Sequence, residues 1–576
     1  MKSTVSSHFV EVLEQNEIKH VFELIGGMIT ILVDELHKSD TIQVHSMHHE
    51  QAAAFAAEGL ARVDGKFGVA LATSGPGATN LITGIGSCFF DSVPVLFITG
   101  QVNSYEISNN PDLRQSGFQE MDIVSMVKPI TKFAKRITDP NEFSAVLKEA
   151  IKIATTGRKG PVLIDIPMDY QQAEIQIGTV NQSSKVASTN DSKVIEFNQQ
   201  LASALDQCMR PLIIAGGGIA AATQTSNFRD FVAAKRIPVV KTLMGIDSLP
   251  NASKLNVGFL GSYGNRWANQ AIAESDLLLV MGSRLDIRQT GSDVTGFKGD
   301  RNIFQVDIDS AEIDYRVQTT KSLNCSLAEY LAVANKAQFN FNAQKLETWL
   351  DHLTSLKHKY PHDSENIPTQ GVNPNSAIEK ISRAWQEVGT FVSDVGQHQM
   401  WVAQSLQISG DQRCLTSGGM GAMGFGLPAA IGAAFNNLGN TICLFVGDGG
   451  LQLNIQEFET LKRNNLNVRL VVLDNQTHGM VRQFQETYFQ GRYGSTVEGY
   501  SAPNFASVAA AYGIESIEIY SDQELELAII KYENFKGPLL LNIRIETLLN
   551  VYPKLAFGQN FGDMEPQVKS SEMEGT

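Results

Sequence analysis

The chain has 576 residues, 43% of them hydrophobic, with 48 glycines and a formal net charge of −15. That length exceeds what one hydrophobic core holds and implies three or four domains. The acidic balance and the lack of a basic block exclude a nucleic-acid footprint. No run of about 18 apolar residues marks a membrane span, and the opening Met1-Lys2-Ser3-Thr4 lacks an apolar signal core. We therefore expect a cytoplasmic protein. Cys88, Cys208, Cys325, Cys414 and Cys443, with no CxxC spacing, read as reduced core thiols.

Residues 1–178 alternate strand-like runs (68–72, 95–99, 162–166) with helical patterns. His48-His49-Glu50-Gln51 opens an alanine-rich helical stretch with Glu50 in its first turn. An acid there gains about 0.3–1 kcal/mol from the helix dipole, so its position alone demands no function. Thr73-Ser74-Gly75-Pro76-Gly77 is a turn between a strand and a helix. Asp91-Ser92-Val93-Pro94, Thr99-Gly100-Gln101 and Gly117-Phe118-Gln119-Glu120 follow. Gly157-Arg158-Lys159-Gly160 and Asp165-Ile166-Pro167-Met168 close the segment. Residues 179–192, rich in Ser, Asn and Gln, read as a linker.

A second α/β unit covers residues 193–340, with buried-strand runs at 211–216, 276–281 and 303–308. Its chemistry-bearing stretches are Ala215-Gly216-Gly217-Gly218, Gly282-Ser283-Arg284-Leu285-Asp286-Ile287-Arg288 and Asp307-Ile308-Asp309. Glycine-rich turns let backbone approach a phosphate, Arg284 or Arg288 would offset its charge, and an acid can accept from ribose hydroxyls. Residues 341–372 are charged, hold two prolines and read as a second linker.

The third unit, 373–550, carries the most informative pattern. Residues 441–446 form an apolar strand that ends on Gly447-Asp448-Gly449-Gly450. Residues 468–473 form another, ending on Asp474-Asn475. Asp448 and Asn475 thus fall at the carboxyl ends of two strands of one parallel sheet, where open α/β folds bind ligands. Two hard oxygen ligands, completed by phosphate oxygens and water, suit Mg²⁺. Residues beyond 550 read as a tail, polar and mobile after about 558. Strand–helix alternation throughout implies parallel sheets covered by helices on both faces.

The ordered set of these motifs, with Asp394-Val395-Gly396-Gln397-His398, Gly421-Ala422-Met423-Gly424 and Asn475-Gln476-Thr477-His478-Gly479-Met480, resembles the acetolactate synthase family of thiamine diphosphate (ThDP) enzymes over about residues 5–550. The resemblance implies three flavodoxin-like or Rossmann-like domains: a pyrimidine-binding domain (1–178), a central FAD-type domain (193–340) and a diphosphate-binding domain (373–550). It implies a homodimer or tetramer with ThDP between the first domain of one subunit and the third of another. Glu50 matches the glutamate that hydrogen-bonds the aminopyrimidine and so promotes loss of the C2 proton. Met423 matches the apolar wedge that folds the cofactor into a V, and Gly26 and Gly421 match positions near it. Gln397, His398, Val395, Gly396, Gly449, Gly450, Gly479 and Met480 match the surroundings of the diphosphate. Asp448, Asn475 and the Thr477 carbonyl match the Mg²⁺ ligands. Arg158, Gly216, Gly217, Gly218, Gly282, Arg284, Asp286, Arg288, Asp307 and Asp309 match segments that contact FAD, which does no net redox chemistry in the family.

The implied activity is decarboxylation of a 2-keto acid such as pyruvate, with transfer of the hydroxyethyl unit to a carbonyl acceptor. Phe118 and Gln119 match the acceptor side. Two positions depart from the family: Met168 stands where it has Lys, and Phe484 where it has Trp. Losing the Lys removes a charge-assisted contact worth about 1.5–3 kcal/mol, and Phe enlarges the pocket. Pyruvate as acceptor would give acetolactate. A bulkier ketone such as a nucleotide-linked ketosugar is the alternative, and simple decarboxylation or oxidation a further one.

Overall fold

The structure, a computed structural model, describes residues 2–108, 110, 112–176, 191–339, 341–361, 364–555 and 557–566. Three six-stranded sheets organise it, each wholly parallel and flanked by helices. The central strands are mostly apolar, as sheets covered on both faces require: Thr441–Gly447 and Val468–Asp474 are buried along their whole length, Arg469 included.

The N-terminal sheet runs Gln43–Ser46, His20–Leu24, Gly68–Ala72, Val95–Gln101, Val162–Pro167, Phe133–Arg136. The C-terminal sheet repeats that topology: Arg413–Thr416, Val388–Ser393, Thr441–Gly447, Val468–Asp474, Leu539–Arg544, Glu515–Ile519. Numbered within each domain, both read 2-1-3-4-6-5. The middle sheet runs Asn256–Phe259, Val239–Lys241, Pro211–Ala215, Leu277–Met281, Asn302–Asp307, Lys321–Asn324, or 3-2-1-4-5-6, the order of dinucleotide-binding folds. Ligand clefts open where such an order reverses. Here those points follow Leu24 and Ala72, Ser393 and Gly447, and Ala215 and Met281.

The outer domains share one apolar core. Its centre is the crossing of the small-residue helices Glu50–Asp64 and Gly426–Asn436. A Cβ on Gly59 would stand 2.3 Å from the Ala429 carbonyl, and one on Gly432 would stand 1.9 Å from the Ala56 carbonyl. Glycine at both positions is what lets the two backbones meet.

At the edge of this core His45 stacks on Phe435 with centroids 3.6 Å apart, and its Nε2 lies 2.9 Å from His20 Nδ1. Burial, then His20 and Arg463, push the His45 pKa down to about 3. The folded state therefore refuses a proton that the unfolded chain accepts near pH 6.5. Stability is present above that pH and lost as pH falls toward 3, by about 1.4 kcal/mol per pH unit. Urea midpoints of wild type and His45→Gln at pH 7.5 and 5.5 should show wild type losing more over the interval. Parallel losses would refute this account.

Three readings change. Residues 341–372 are not an irregular linker: Ala343–Lys359 is a helix, capped by Asn342 and docked through Leu346, Trp349, Leu353 and Leu356. That stripe has helical spacing, but the surrounding charges obscured it. Part of the mobile tail is fixed. Lys554–Leu555 pairs with Met564–Glu565, Leu555 and Phe561 join the middle-domain core, and Arg266 donates to the Met564 carbonyl (2.8 Å). Residues 567–576 of that tail lie outside the described residues, as does the linker from 179 to 190; residues 191 and 192 begin the helix Asp191–Gln207. All five cysteines are free, and no helix among the described residues is long and apolar enough to cross a membrane.

Candidate active site

Glu50 begins its helix, where His49 caps by accepting from the Gln51 amide at 3.1 Å. The carboxyl is buried, and Asn80 Nδ2 donates to Oε2 at 2.9 Å. A Cβ on Gly77 would stand 3.1 Å from Oε1. Gly26 lies against Thr73, which a Cβ there would strike at 2.4 Å, and the Gln119 side chain lies beside Gly75. Gln119 adopts φ +67, on a loop whose amides at 108, 116 and 117 all donate to Glu120. Phe118 projects, 78% exposed. Glu50, Gly26 and Gln119 thus gather around the turn 73–77 at the carboxyl end of the strand Gly68–Ala72.

The C-terminal sheet ends on a cavity of about 330 Å³. Val395, Gly396, Gln397, His398, Met423, Asp448, Gly449, Gly450, Asn475, Thr477, Gly479 and Met480 line it, and Gly421, Gly26 and Glu50 do not. The His398 ring is wedged between Gly396 and Gly447, where added Cβ atoms would come within 2.7 and 2.8 Å of it. Burial pushes its pKa down to about 3, and its buried Nε2 has no partner. Asn475 Nδ2 donates to Gln397 Oε1 (2.9 Å), leaving the Asn475 amide oxygen for a ligand. A Cβ on Gly479 would stand 1.8 Å from Gln397 Oε1, so a larger residue there would displace the Gln397 amide that accepts from Asn475.

Asp448 is 2% exposed, and burial, with Asp474 nearby, raises its pKa to about 7. Such a carboxylate is stabilised by a bound cation. No cluster of three His, Cys, Asp or Glu side chains exists among the described residues. Asp448, Asn475 and Thr477, which line the cavity, offer one carboxylate, one amide and one backbone carbonyl oxygen, a set that would fit Mg²⁺ sharing phosphate oxygens and water better than zinc. The unpartnered His398 nitrogen fits a neighbouring anion.

Sequence reasoning assigned no role to Asp394, although it begins one of the quoted motifs. Its buried carboxyl accepts from the amides of Val395 (2.6 Å), Gly424 (3.1 Å) and Gly426 (2.7 Å). It thereby fixes the Met423 loop against the His398 turn. Tyr500, whose hydroxyl donates to Asp448 Oδ2 at 3.0 Å, was likewise unforeseen.

The middle sheet opens on a cavity of about 410 Å³ bordered by all three domains. Arg158, Gly217, Gly218, Gly282, Arg284, Asp286, Arg288 and Asp307 line it. Gly216 supports its floor, where a Cβ would stand 2.0 Å from the Gly282 carbonyl. Arg158 is already engaged by Asp309 (2.9 Å) and Glu312 (2.7 Å), so it is not a free phosphate partner. Arg288 reaches only the Met400 sulfur (3.7 Å) and is the cation better placed to serve one. Met168 opens a short helix on the N-terminal domain. Phe484 is 53% exposed on the helix Gly479–Tyr488, with Tyr488 and Phe489 at centroid distances of 4.7 and 5.8 Å.

Residues 3–126, 198–333 and 394–543 match the N-terminal TPP-binding, central and C-terminal TPP-binding domains described for thiamine pyrophosphate enzymes. The acetolactate synthase large subunit of Lactococcus lactis is 36% identical over 571 residues, covering 98% of this chain and 96% of its own length. The isozyme 1 large subunit of Escherichia coli is 36% identical over 560 residues (96% of each chain), and chloroplastic acetolactate synthase 2 of Zea mays 35% over 577 (97% and 88%). The chain belongs to the acetolactate synthase family. It is a ThDP-dependent enzyme of that type. Within this family the repeated 2-1-3-4-6-5 sheets correspond to the two TPP-binding domains, and the 3-2-1-4-5-6 sheet to the central one.

Proposed function

We propose that this acetolactate synthase relative decarboxylates pyruvate and transfers the two-carbon unit to a carbonyl acceptor, giving acetolactate when the acceptor is a second pyruvate. The observation that carries this reading is the C-terminal cavity, where the buried Asp448, the freed Asn475 oxygen and the unpartnered His398 nitrogen converge. When bound, ThDP supplies an acidic thiazolium carbon that, once deprotonated, adds to a keto group and accepts its electrons. The chain supplies the rest. Asp448, Asn475 and the Thr477 carbonyl hold Mg²⁺, and His398 with the amides after Gly449 holds the diphosphate. Met423 shapes the cavity. Glu50, which lies outside that cavity within one chain, comes from a second copy, so a homodimer, or a tetramer of such dimers, is the smallest active unit. Glu50 then holds a proton at the pyrimidine ring, while Phe118 and Gln119 border the acceptor. The middle cavity would hold FAD in a non-redox role, with the glycine turns at 216–218 and 282 and the Arg288 cation available to its phosphates. The enzyme works in the cytosol.

CO₂ release from pyruvate with ThDP and Mg²⁺ tests the activity, and no release from any 2-keto acid would refute it. A yellow flavin spectrum of the purified protein tests the middle cavity.

Met168 and Phe484 favour a second reading, with a bulkier ketone such as a nucleotide-linked ketosugar as acceptor. Met168→Lys should then raise kcat/KM for pyruvate as acceptor by about tenfold or more, the worth of one charge-assisted contact. Mass spectrometry of products formed with pyruvate alone and with keto sugars reads the change. Unaltered product ratios would remove Met168 from the acceptor pocket.

A further inference from the structure

We propose that Tyr500 is a positioning residue for the metal site: its hydroxyl holds Asp448 in a one-oxygen binding mode and so sets the preference for Mg²⁺ over larger cations. This rests on the reading of the C-terminal cavity as the Mg²⁺–ThDP site.

Tyr500 lies outside every motif that carries the family resemblance. It sits on the loop after the helix Gly479–Tyr488, and Gly499, at φ +77, turns the chain just before it. Its ring packs on His478 with centroids 4.3 Å apart. The hydroxyl donates to Asp448 Oδ2 at 3.0 Å and lies 3.3 Å from where a Cβ on Gly449 would stand. The same loop grips the other strand end. The Thr496 carbonyl accepts from Thr477 Oγ1 at 2.7 Å and from the His478 amide at 3.2 Å. One loop therefore fixes both the Asp448 carboxylate and the backbone at Thr477, the two ends of the expected ligand set.

With Oδ2 engaged by the phenol, Oδ1 is the carboxylate oxygen without a side-chain donor among the described residues, and so the one more available to a metal. Mg²⁺ demands near-ideal octahedral geometry, which a single carboxylate oxygen suits, whereas Ca²⁺ accepts six to eight ligands and takes carboxylates through both oxygens. Partners that orient a metal ligand commonly change affinity 10–100-fold. Tyr500→Phe removes the hydroxyl and keeps the ring against His478.

The experiment titrates MgCl₂ and, separately, CaCl₂ into the full chain at saturating ThDP. It follows quenching of tryptophan fluorescence, to which Trp401 in the cavity wall contributes. In Tyr500→Phe the Kd for Mg²⁺ should rise about 10–100-fold while that for Ca²⁺ changes less than about threefold. The melting midpoint without cofactor should fall only by the loss of this one buried hydrogen bond, and the titrations are run well below it. A Mg²⁺ affinity within twofold of wild type, or equal losses for both cations, would overturn the proposal. A wild-type protein that binds neither metal with ThDP would overturn the cavity reading itself, and this inference with it.

Discussion

In Glu50→Gln the C2 proton of bound ThDP exchanges with solvent at least about tenfold more slowly than in wild type, toward the roughly 10²–10⁴-fold contribution of a positioned proton-transfer group. The substitution preserves size and leaves an oxygen for Asn80 Nδ2, which donates to Oε2 in wild type. It removes the ability to trade a proton with the pyrimidine ring. The groups that would hold the diphosphate and metal lie on the C-terminal domain and are untouched, so cofactor affinity should stay close to wild type. Quenched-exchange NMR of the bound cofactor in D₂O measures the rate. A wild-type rate would show that the buried acid at this helix start is a dipole-stabilised structural residue.

What the sequence made legible follows from how locally each feature is encoded. Buried central strands announce themselves: 441–446 and 468–473 are mostly apolar runs, opening on Thr441 and interrupted by Arg469, and both are strands within a residue of the expected bounds. Edge strands do not. Phe133–Arg136 and Lys321–Asn324 are four residues long, carry charge and lack both alternation and apolar continuity. The amphipathic helix Ala343–Lys359 was hidden because its four buried positions are outnumbered by charged and polar neighbours. The same distinction divides the site. Gly447-Asp448-Gly449 and Asn475 are each a single turn at a strand end and could be placed from their own stretches. Asp394 and the amides of Gly424 and Gly426, or Tyr500 and Asp448, stand 30, 32 and 52 residues apart with no periodicity to link them. Arg158 matches a segment that contacts FAD, and nothing in its own stretch shows that acids more than 150 residues away engage it. Only the folded chain shows Asp309 and Glu312 holding it.

Asp448→Asn should separate stability from function at one atom. In the metal-free chain Asp448 is buried with Asp474 nearby, and both influences oppose its negative charge. One phenol hydrogen bond, from Tyr500, is the side-chain compensation at Oδ2. A buried charge that its hydrogen bonds only partly compensate is costly to a fold, so an uncharged amide of the same shape should leave the cofactor-free melting midpoint unchanged or raise it. Binding should move the other way. The donor set contains a single carboxylate, and removing its charge leaves Mg²⁺ only neutral oxygens beside the diphosphate. The wild-type chain should gain about 2.7 kcal/mol when Mg²⁺–ThDP is present at a hundred times its Kd. The variant should gain almost nothing at the same concentrations, and its CO₂ release should fall at least about a hundredfold. Calorimetric melting with and without Mg²⁺–ThDP reads both halves. A variant that melts lower without cofactor yet is stabilised as fully as wild type by Mg²⁺–ThDP would mean that Asp448 is a structural carboxylate and that the metal is held elsewhere.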